Sequence, residues 1–334
     1  MGDRYAWTSG VEQITPAVHR IPLPLPDDGL RAVNVYAIQG PDGVGLIDGG
    51  WLIPAALDAL QHGLAAIGLG IGDITAVLTT HFHRDHYTLA LELRRLTGCP
   101  VALGGPERAS VNAVMAGERA LDRLLALMRR AGAPPLLTSL KIKSSDGPQT
   151  YDHPTSWLAD GDRPVAGGRQ LEALSTPGHT AGHFCFADDG AGLLFAGDHV
   201  LPHITPSIGF ETAAPHLPLA SYLQSLRRVR DRPDTRLLPA HGPVTPSVHA
   251  RVDELLAHHD ERLQRCGEAV ASGARTAYQV ARHLRWTRHQ RPLGELAPFE
   301  QVMAVAETVA HLEVLCLQSR LTRLAHDDVD DFIS

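Results

Sequence analysis

Apolar residues along the first 246 positions fall into two alternating patterns. Residues 44–47, 76–80, 171–175, 192–196 and 236–240 are short, nearly continuous apolar runs that end at Gly, Pro, Asp or His, as buried strands do. Residues 54–69 and 87–97 instead repeat apolar positions every three or four residues, which predicts helices. Beyond position 246 the strand pattern gives way to helices. Ser247 is a candidate N-cap for a helix to about 271, Ser272 and Gly273 end it, and Thr276 opens a short helix through 284. Apolar spacing predicts a further helix over 300–317, and 321–324 a small strand or wing. The expected division is therefore 1–246 for a mixed α/β unit and 247–334 for a helical one.

Residues 105–160 exceed what the alternating core needs. They carry helical patterns over 107–115 and 118–130, with Leu121, Leu124, Leu125 and Met128 on one face, then Pro134 and Pro135, then the polar run 144–148. A packing or dimerisation element is one reading of this stretch; were it instead to cover a site, its Leu, Met and Ala would favour an apolar ligand portion. Arg119, Arg123, Arg129 and Arg130 either hold an anionic group or form a solvated helix face.

The chemistry concentrates at strand ends. The run 76–80 leads directly into His81-Phe82-His83-Arg84-Asp85-His86. Side chains two apart on extended backbone point the same way, so His81 and His83 can grip one ion while Asp85 and His86 turn toward another. The chain has 19 His, so a lone His-x-His would carry little weight. Three further strand ends add candidates: His179 in Pro177-Gly178-His179-Thr180-Ala181-Gly182-His183, Asp198 in Gly197-Asp198-His199, and His241 in Ala240-His241-Gly242. Each lies beside a Gly that permits close approach of backbone and metal.

These motifs resemble those of the metallo-β-lactamase superfamily: H-x-H-x-D-H at 81–86, the His of PGHT at 179, the Asp of GD at 198 and the His of HG at 241. The resemblance implies that His81, His83 and His179 hold one metal, that Asp85, His86 and His241 hold a second, and that Asp198 bridges them. It also implies a four-layer αββα sandwich with ligand loops along one edge, insertions such as 105–160 capping the site, and a winged-helix-like tail as in some intracellular members. Asp48, in Val44-Gly45-Leu46-Ile47-Asp48-Gly49-Gly50, matches the family's early strand and turn and is expected to support the site without binding metal.

Imidazole and carboxylate donors without thiolate suit zinc, with iron or manganese as alternatives. Two ions about 3.5–4 Å apart share a water, lower its pKa toward about 7 and stabilise the oxyanion formed at a carbonyl or phosphoryl centre. The expected reaction is hydrolysis by a bridging hydroxide, with Asp85 orienting it or relaying its proton. A carboxylic ester, thioester or lactone is the leading substrate class, similar to the glyoxalase II, thioesterase and lactonase branches; phosphodiester or RNA cleavage is the alternative. Trp51, Tyr87, His199, His203, Phe210 and Tyr222 are candidate substrate contacts or packing residues.

Composition narrows this further. The chain has 334 residues, is 44% apolar and carries a formal net charge of −7, with Lys141 and Lys143 its only lysines. Acidity gives no general attraction to nucleic acid, and the Asp-rich end at 327–331 repels phosphate, so the tail is expected to serve subunit contact, as in a homodimer, or site closure. The partner expected is a small acyl substrate. Cys99, Cys185, Cys266 and Cys316 are widely spaced, as in reduced thiols, and no leader or membrane-length apolar run is present, so a cytoplasmic protein is expected.

Overall fold

A computed structural model describes residues 6–26, 29–118, 120–139, 151–209, 217–287, 289–326 and 328–334. Seven strands form the first sheet in chain order: β1 (Glu12–Thr15), β2 (Val18–Pro24), β3 (Ala32–Gly40), β4 (Gly43–Ile47), β5 (Ile74–Leu78), β6 (Val101–Gly104) and β7 (Ser156–Leu158). Pairing is antiparallel from β1 to β4 and parallel from β4 to β7. Helices α1 (Pro54–Ala66) and α2 (Arg84–Thr97) make the parallel crossovers. After the insertion helices α3 (Arg108–Met115), α4 (Ala120–Arg130) and α5 (Pro134–Ser139), a small hairpin, β8 (Val165–Ala166) and β9 (Arg169–Gln170), precedes the second sheet. That sheet runs β10 (Glu172–Ser175), β11 (Phe184–Asp188), β12 (Leu193–Gly197) and β13 (Arg236–Pro239). Helix α6 (Pro218–Arg230) joins β12 to β13 and makes their pairing parallel.

The period-two alternation of the strands builds the layers. In β3, Val33, Val35 and Ala37 face one way and pack with Leu60 and Leu64 of α1 and Leu89 and Leu93 of α2, while Tyr36 and Ile38 face the other. In the second sheet Phe184, Phe186, Leu193, Phe195 and Leu238 meet Tyr36 and Ile38, and Cys185, Leu194, Ala196 and Leu237 pack outward against α6. The result is helix, sheet, sheet, helix: the four-layer αββα sandwich. Each fully buried Phe in the central layer contributes about 1.5–3 kcal/mol relative to exposure. Tyr36 and Phe195 meet edge to face across it, 5.4 Å between centroids.

The C-terminal part comprises α7 (Val248–Ala271), α8 (Ala277–His283), α9 (Pro298–Leu317) and two hairpins, β14 (Arg285–Trp286) with β15 (Arg291–Pro292), and β16 (Thr322–Ala325) with β17 (Asp330–Ile333). Ser247 caps α7, its Oγ accepting from the Ala250 N–H at 3.0 Å, and Thr276 caps α8. Helix α9 is buried on several faces, and its Val302, Val305 and Leu312 share one apolar cluster with the outer face of the second sheet. Leu124 and Met128 of α4 lie in that same cluster, so this apolar face is used for packing against the C-terminal helices. Arg130 adds an ion pair with Asp330 at 2.5 Å, and Arg129 is exposed. Arg119, Phe210, Asp327 and the polar run 144–148 lie outside the described residues.

Candidate metal centre

Five chain segments reach one edge of the sandwich. Strand β5 ends at Leu78, the loop 79–83 carries His81 and His83, and α2 begins at Arg84, three residues earlier than its apolar period indicated. Asp85 and His86 therefore stand in the first turn of α2, where backbone N–H groups favour a carboxylate. The loop after β10 carries His179, β12 ends at Gly197 just before Asp198, and β13 leads toward His241. Gly197, at φ +51°, has no room for a Cβ, which would lie 2.6 Å from His183 Nε2 and 2.8 Å from Thr80 Cβ. The glycine lets the chain turn Asp198 into the site.

All seven residues singled out as ligands converge. His81 Nε2 and His179 Nε2 lie 3.0 and 3.1 Å from His83 Nδ1. Asp85 Oδ2 lies 3.5 Å from both His86 Nε2 and His241 Nε2. Asp198 stands between: its Oδ2 is 3.4 Å from His179 Nε2, and its Oδ1 is 3.3 Å from His241 Nε2 and 3.7 Å from His86 Nε2. Three clusters could each hold an ion: His81, His83 and His179; His81, His86 and Asp198; and Asp85, His86 and His241. Only His83 and Asp85 are more than marginally exposed, which marks the side open to a substrate.

The residues behind these groups fix which nitrogen faces inward. His179 Nδ1 donates to Ser207 O and His241 Nδ1 to Ala32 O, both at 2.8 Å, and His86 Nδ1 donates to Asp48 Oδ2 at 2.9 Å. Each bond turns Nε2 into the cluster, where it offers a lone pair whenever the ring is neutral. Asp48 also accepts from the Thr80 N–H at 2.7 Å and the Thr80 hydroxyl at 3.0 Å. With its proton used there, Thr80 Oγ1 accepts from His81 Nδ1 at 3.1 Å, so His81 also points Nε2 inward. Asp48 holds a left-handed backbone, φ 62°, which Asp tolerates better than bulkier residues. Its place behind His86 is the supporting one the early turn motif implied.

Electrostatics separates the donors into two sets. Burial, reinforced by neighbouring imidazoles, holds His81 well below the usual histidine range and His83 down at about 3. These rings are neutral. Burial also depresses His86, but Asp85, Asp48 and Asp198 outweigh it and lift this group to about 10. The Asp198 carboxyl is opposed by burial and held low by His241, His86 and His179. This end of the cluster therefore favours a cation. His86 Nε2, His241 Nε2 and Asp198 Oδ1 are buried without a hydrogen-bond partner. Donors around a tetrahedral zinc stand about 3.3–3.4 Å apart, close to the separations here, so the donor set fits a divalent ion.

Several supporting residues carried no recognised signal in the sequence. His183 accepts from the Asp198 N–H at 3.1 Å and donates through Nδ1 to Thr176 Oγ1 at 2.8 Å, holding the backbone of Asp198. Asn34 donates to Pro239 O and Gly242 O, at 2.9 and 2.8 Å, and Tyr36 donates to Pro239 O at 2.8 Å, pinning the turn that presents His241. Glu107 is fully buried, accepts from Thr180 Oγ1 at 2.5 Å and is pushed up by burial to about 7. Of the expected substrate contacts, Tyr87 and Tyr222 are buried, with hydroxyls donating to Asp152 O and His199 O; His199 is buried beside Tyr222. Trp51 lies under the Arg84 guanidinium at 4.3 Å, and His203 is exposed. All four cysteines are free, and no helix among the described residues is long and apolar enough to cross a membrane.

Residues 28–241 match the family model of the metallo-beta-lactamase superfamily. The Probable metallo-hydrolase YqjP of Bacillus subtilis is 25% identical over 312 residues, covering 91% of this chain and 92% of that protein. An atrochrysone carboxyl ACP thioesterase of Aspergillus chevalieri is 27% identical over 273 residues, covering 81% of this chain and 70% of that one. The crystal structure of the metallo-beta-lactamase family protein TTHA1429 from Thermus thermophilus superposes with a TM-score of 0.79 at 28% identity, covering 96% of this chain and 99% of that chain. With the sandwich, the loop-borne donors and the match over 28–241 in agreement, this chain belongs to the metallo-β-lactamase superfamily and is a hydrolytic enzyme of that family, whose fold implies divalent metal ions.

Proposed function

We propose that the protein hydrolyses a carboxylic ester, thioester or lactone at a dinuclear centre, zinc by preference, held by His81, His83 and His179 on one side and Asp85, His86 and His241 on the other, with Asp198 shared. One observation carries this reading: the Asp198 carboxylate turns one oxygen toward each histidine set, while Asp198 Oδ1, His86 Nε2 and His241 Nε2 are buried and unpartnered. When bound, such ions supply an acidified water and charge stabilisation for a developing oxyanion. The chain's own residues supply the rest. Asp48, Ser207 O and Ala32 O orient the rings, His183 steadies Asp198, and Asp85, on the open side, accepts the proton of the attacking water and passes it to the leaving group. The likeness to a fungal acyl-carrier thioesterase supports a thioester among the carbonyl substrates.

The test is a panel of an acyl-thioester, a lactone, an aryl ester and bis(p-nitrophenyl) phosphate, run on metal-loaded wild type and Asp85→Asn. Carbonyl cleavage by wild type, with kcat lowered on the order of 10²-fold in a variant of unchanged metal content, is expected. Cleavage of the phosphodiester alone would replace this reading with a nuclease, and undiminished turnover in Asp85→Asn would remove the proton-transfer role.

A further inference from the structure

A cavity of about 500 Å³ lies between α7, the β14–β15 hairpin, α9 and the loop that follows Asp198. Its wall includes four arginines, Arg251, Arg262, Arg265 and Arg285, against two carboxylates, Glu261 and Glu307. Three of the four are ion-paired, Arg251 with Glu254 at 2.7 Å, Arg262 with Glu307 at 3.6 Å and Arg265 with Glu261 at 2.5 Å, which leaves Arg285 to supply the surplus positive charge. A volume of this order holds a small organic molecule.

The arginines are not simply surface charges. Arg262 is 8% exposed, stacks over the Trp286 ring at 4.0 Å and donates through Nη1 to Arg285 O at 2.7 Å. Its Nε is buried without a hydrogen bond; Glu307 Oε1 balances its charge from 3.6 Å, beyond hydrogen-bond reach, and likewise has no hydrogen-bond partner. A buried guanidinium with an unused donor costs free energy unless an acceptor completes it. Arg285 reaches the cavity from an exposed position. Arg265 pairs with Glu261 at 2.5 Å, which offsets that carboxylate.

The cavity is also tied to the metal centre. Arg251 donates to Leu201 O at 2.6 Å and Ile204 O at 3.0 Å, holding the loop whose Ser207 O accepts from His179. Thr205 lines the cavity two residues from Ser207, a chain reach of at most about 7 Å.

We propose that this cavity binds a phosphate-bearing group, the phosphorylated end of the leaving thiol or alcohol of the substrate. The proposal rests on the carbonyl-hydrolase reading for the identity of that molecule, but not for the binding of phosphate. Arginine forks match phosphate oxygens in pairs, and Trp286 and Leu255 offer an apolar wall for the attached carbon chain.

Inorganic pyrophosphate is titrated calorimetrically into metal-loaded wild type, an Arg265→Gln/Arg285→Glu variant and His241→Ala. The expected result is binding by wild type, at least about tenfold weaker in the arginine variant and retained in His241→Ala. No binding by wild type would overturn the site. So would binding lost only in His241→Ala, because the metal centre would then be the receptor. The arginine variant keeps Arg262 and its packing, and its metal content and melting temperature report that it has folded. A second arm compares a phosphorylated acyl-thioester with its dephosphorylated counterpart. A KM raised about tenfold by the arginine variant for the first only assigns the phosphate to the substrate. Equal KM changes with pyrophosphate binding intact would assign the cavity to a separate phosphorylated effector and overturn the leaving-group assignment.

Discussion

Two groups of buried histidines in this molecule look alike in composition and differ in every consequence. At the sandwich edge, His81, His83, His86, His179 and His241 converge with Asp85 and Asp198, each oriented by an acceptor behind it or by its neighbours. In the helical part, His259 of α7 and His311 of α9 stack at 5.3 Å and share one hydrogen bond, Nδ1 to Nε2, at 3.1 Å. His311 Nδ1 is satisfied by Glu307 O at 2.7 Å, and among the described residues neither ring has a carboxylate bonded to it. Burial lowers His259 to about 2, with His311, His258 and Arg262 acting in the same direction, and lowers His311 to about 4 against the opposing hydrogen bond to Glu307 O. Burial alone therefore does not make a histidine a ligand. Inward-facing nitrogens that converge on a carboxylate are what make the edge cluster a candidate metal site, and the helical pair lacks that convergence.

Breaking the carboxylate side of that contrast gives the largest expected effect. Asp198→Ala removes the group that faces both histidine sets, so metal retention after gel filtration should fall and kcat should drop by roughly 10³-fold or more. An undiminished metal content would show that the imidazoles suffice and would erase the distinction between the two groups. Asp48→Asn is the intermediate case, because it touches the outer nitrogen of His86 and leaves the inner one in place. Metal affinity or activity should fall about 10–100-fold, read by competition with a chromophoric chelator.

The smallest effect concerns the helical pair and appears in stability. Both rings are neutral when folded, whereas an unfolded histidine titrates near 6.5. The unfolded state thus binds more protons below that value, and stability falls as pH drops from about 7 toward the folded values. At pH 5 one such ring costs about 2 kcal/mol relative to pH 8. His259→Gln/His311→Gln should flatten the acid limb of a urea-unfolding pH series relative to wild type, even though its absolute stability is lower. An unchanged slope would mean that the pair is not the group being titrated.

Strand ends were legible before the fold was known, because a strand that stops at His or Asp beside Gly has no packing reason to do so. The helices at 54–66, 248–271, 277–283 and 298–317 were legible from apolar period and caps, and each lies within two or three residues of its expected bounds. Strands β1 to β3 and helix α6 were not singled out. Pro22 and Pro24 interrupt the strand pattern of β2, and α6 begins at Pro218 just after residues 210–216, which lie outside the described residues. The apolar face of α4 read equally well as a lid lining, and only the presence of α9 beside it assigns Leu124 and Met128 to packing.

The sequence by itself determined the donor types, their order along the chain and the layer alternation, because these are local properties of spacing and side-chain chemistry. Tertiary structure alone decided which nitrogen of each ring faces inward, since the acceptors at Ala32, Asp48 and Ser207 lie tens to hundreds of positions from their histidines. It also decided that Asn34, Tyr36 and His183 brace the site and that four arginines from α7 and the β14–β15 hairpin face one cavity. These pairings arise where distant segments are packed together, and no period or motif along a single chain records them.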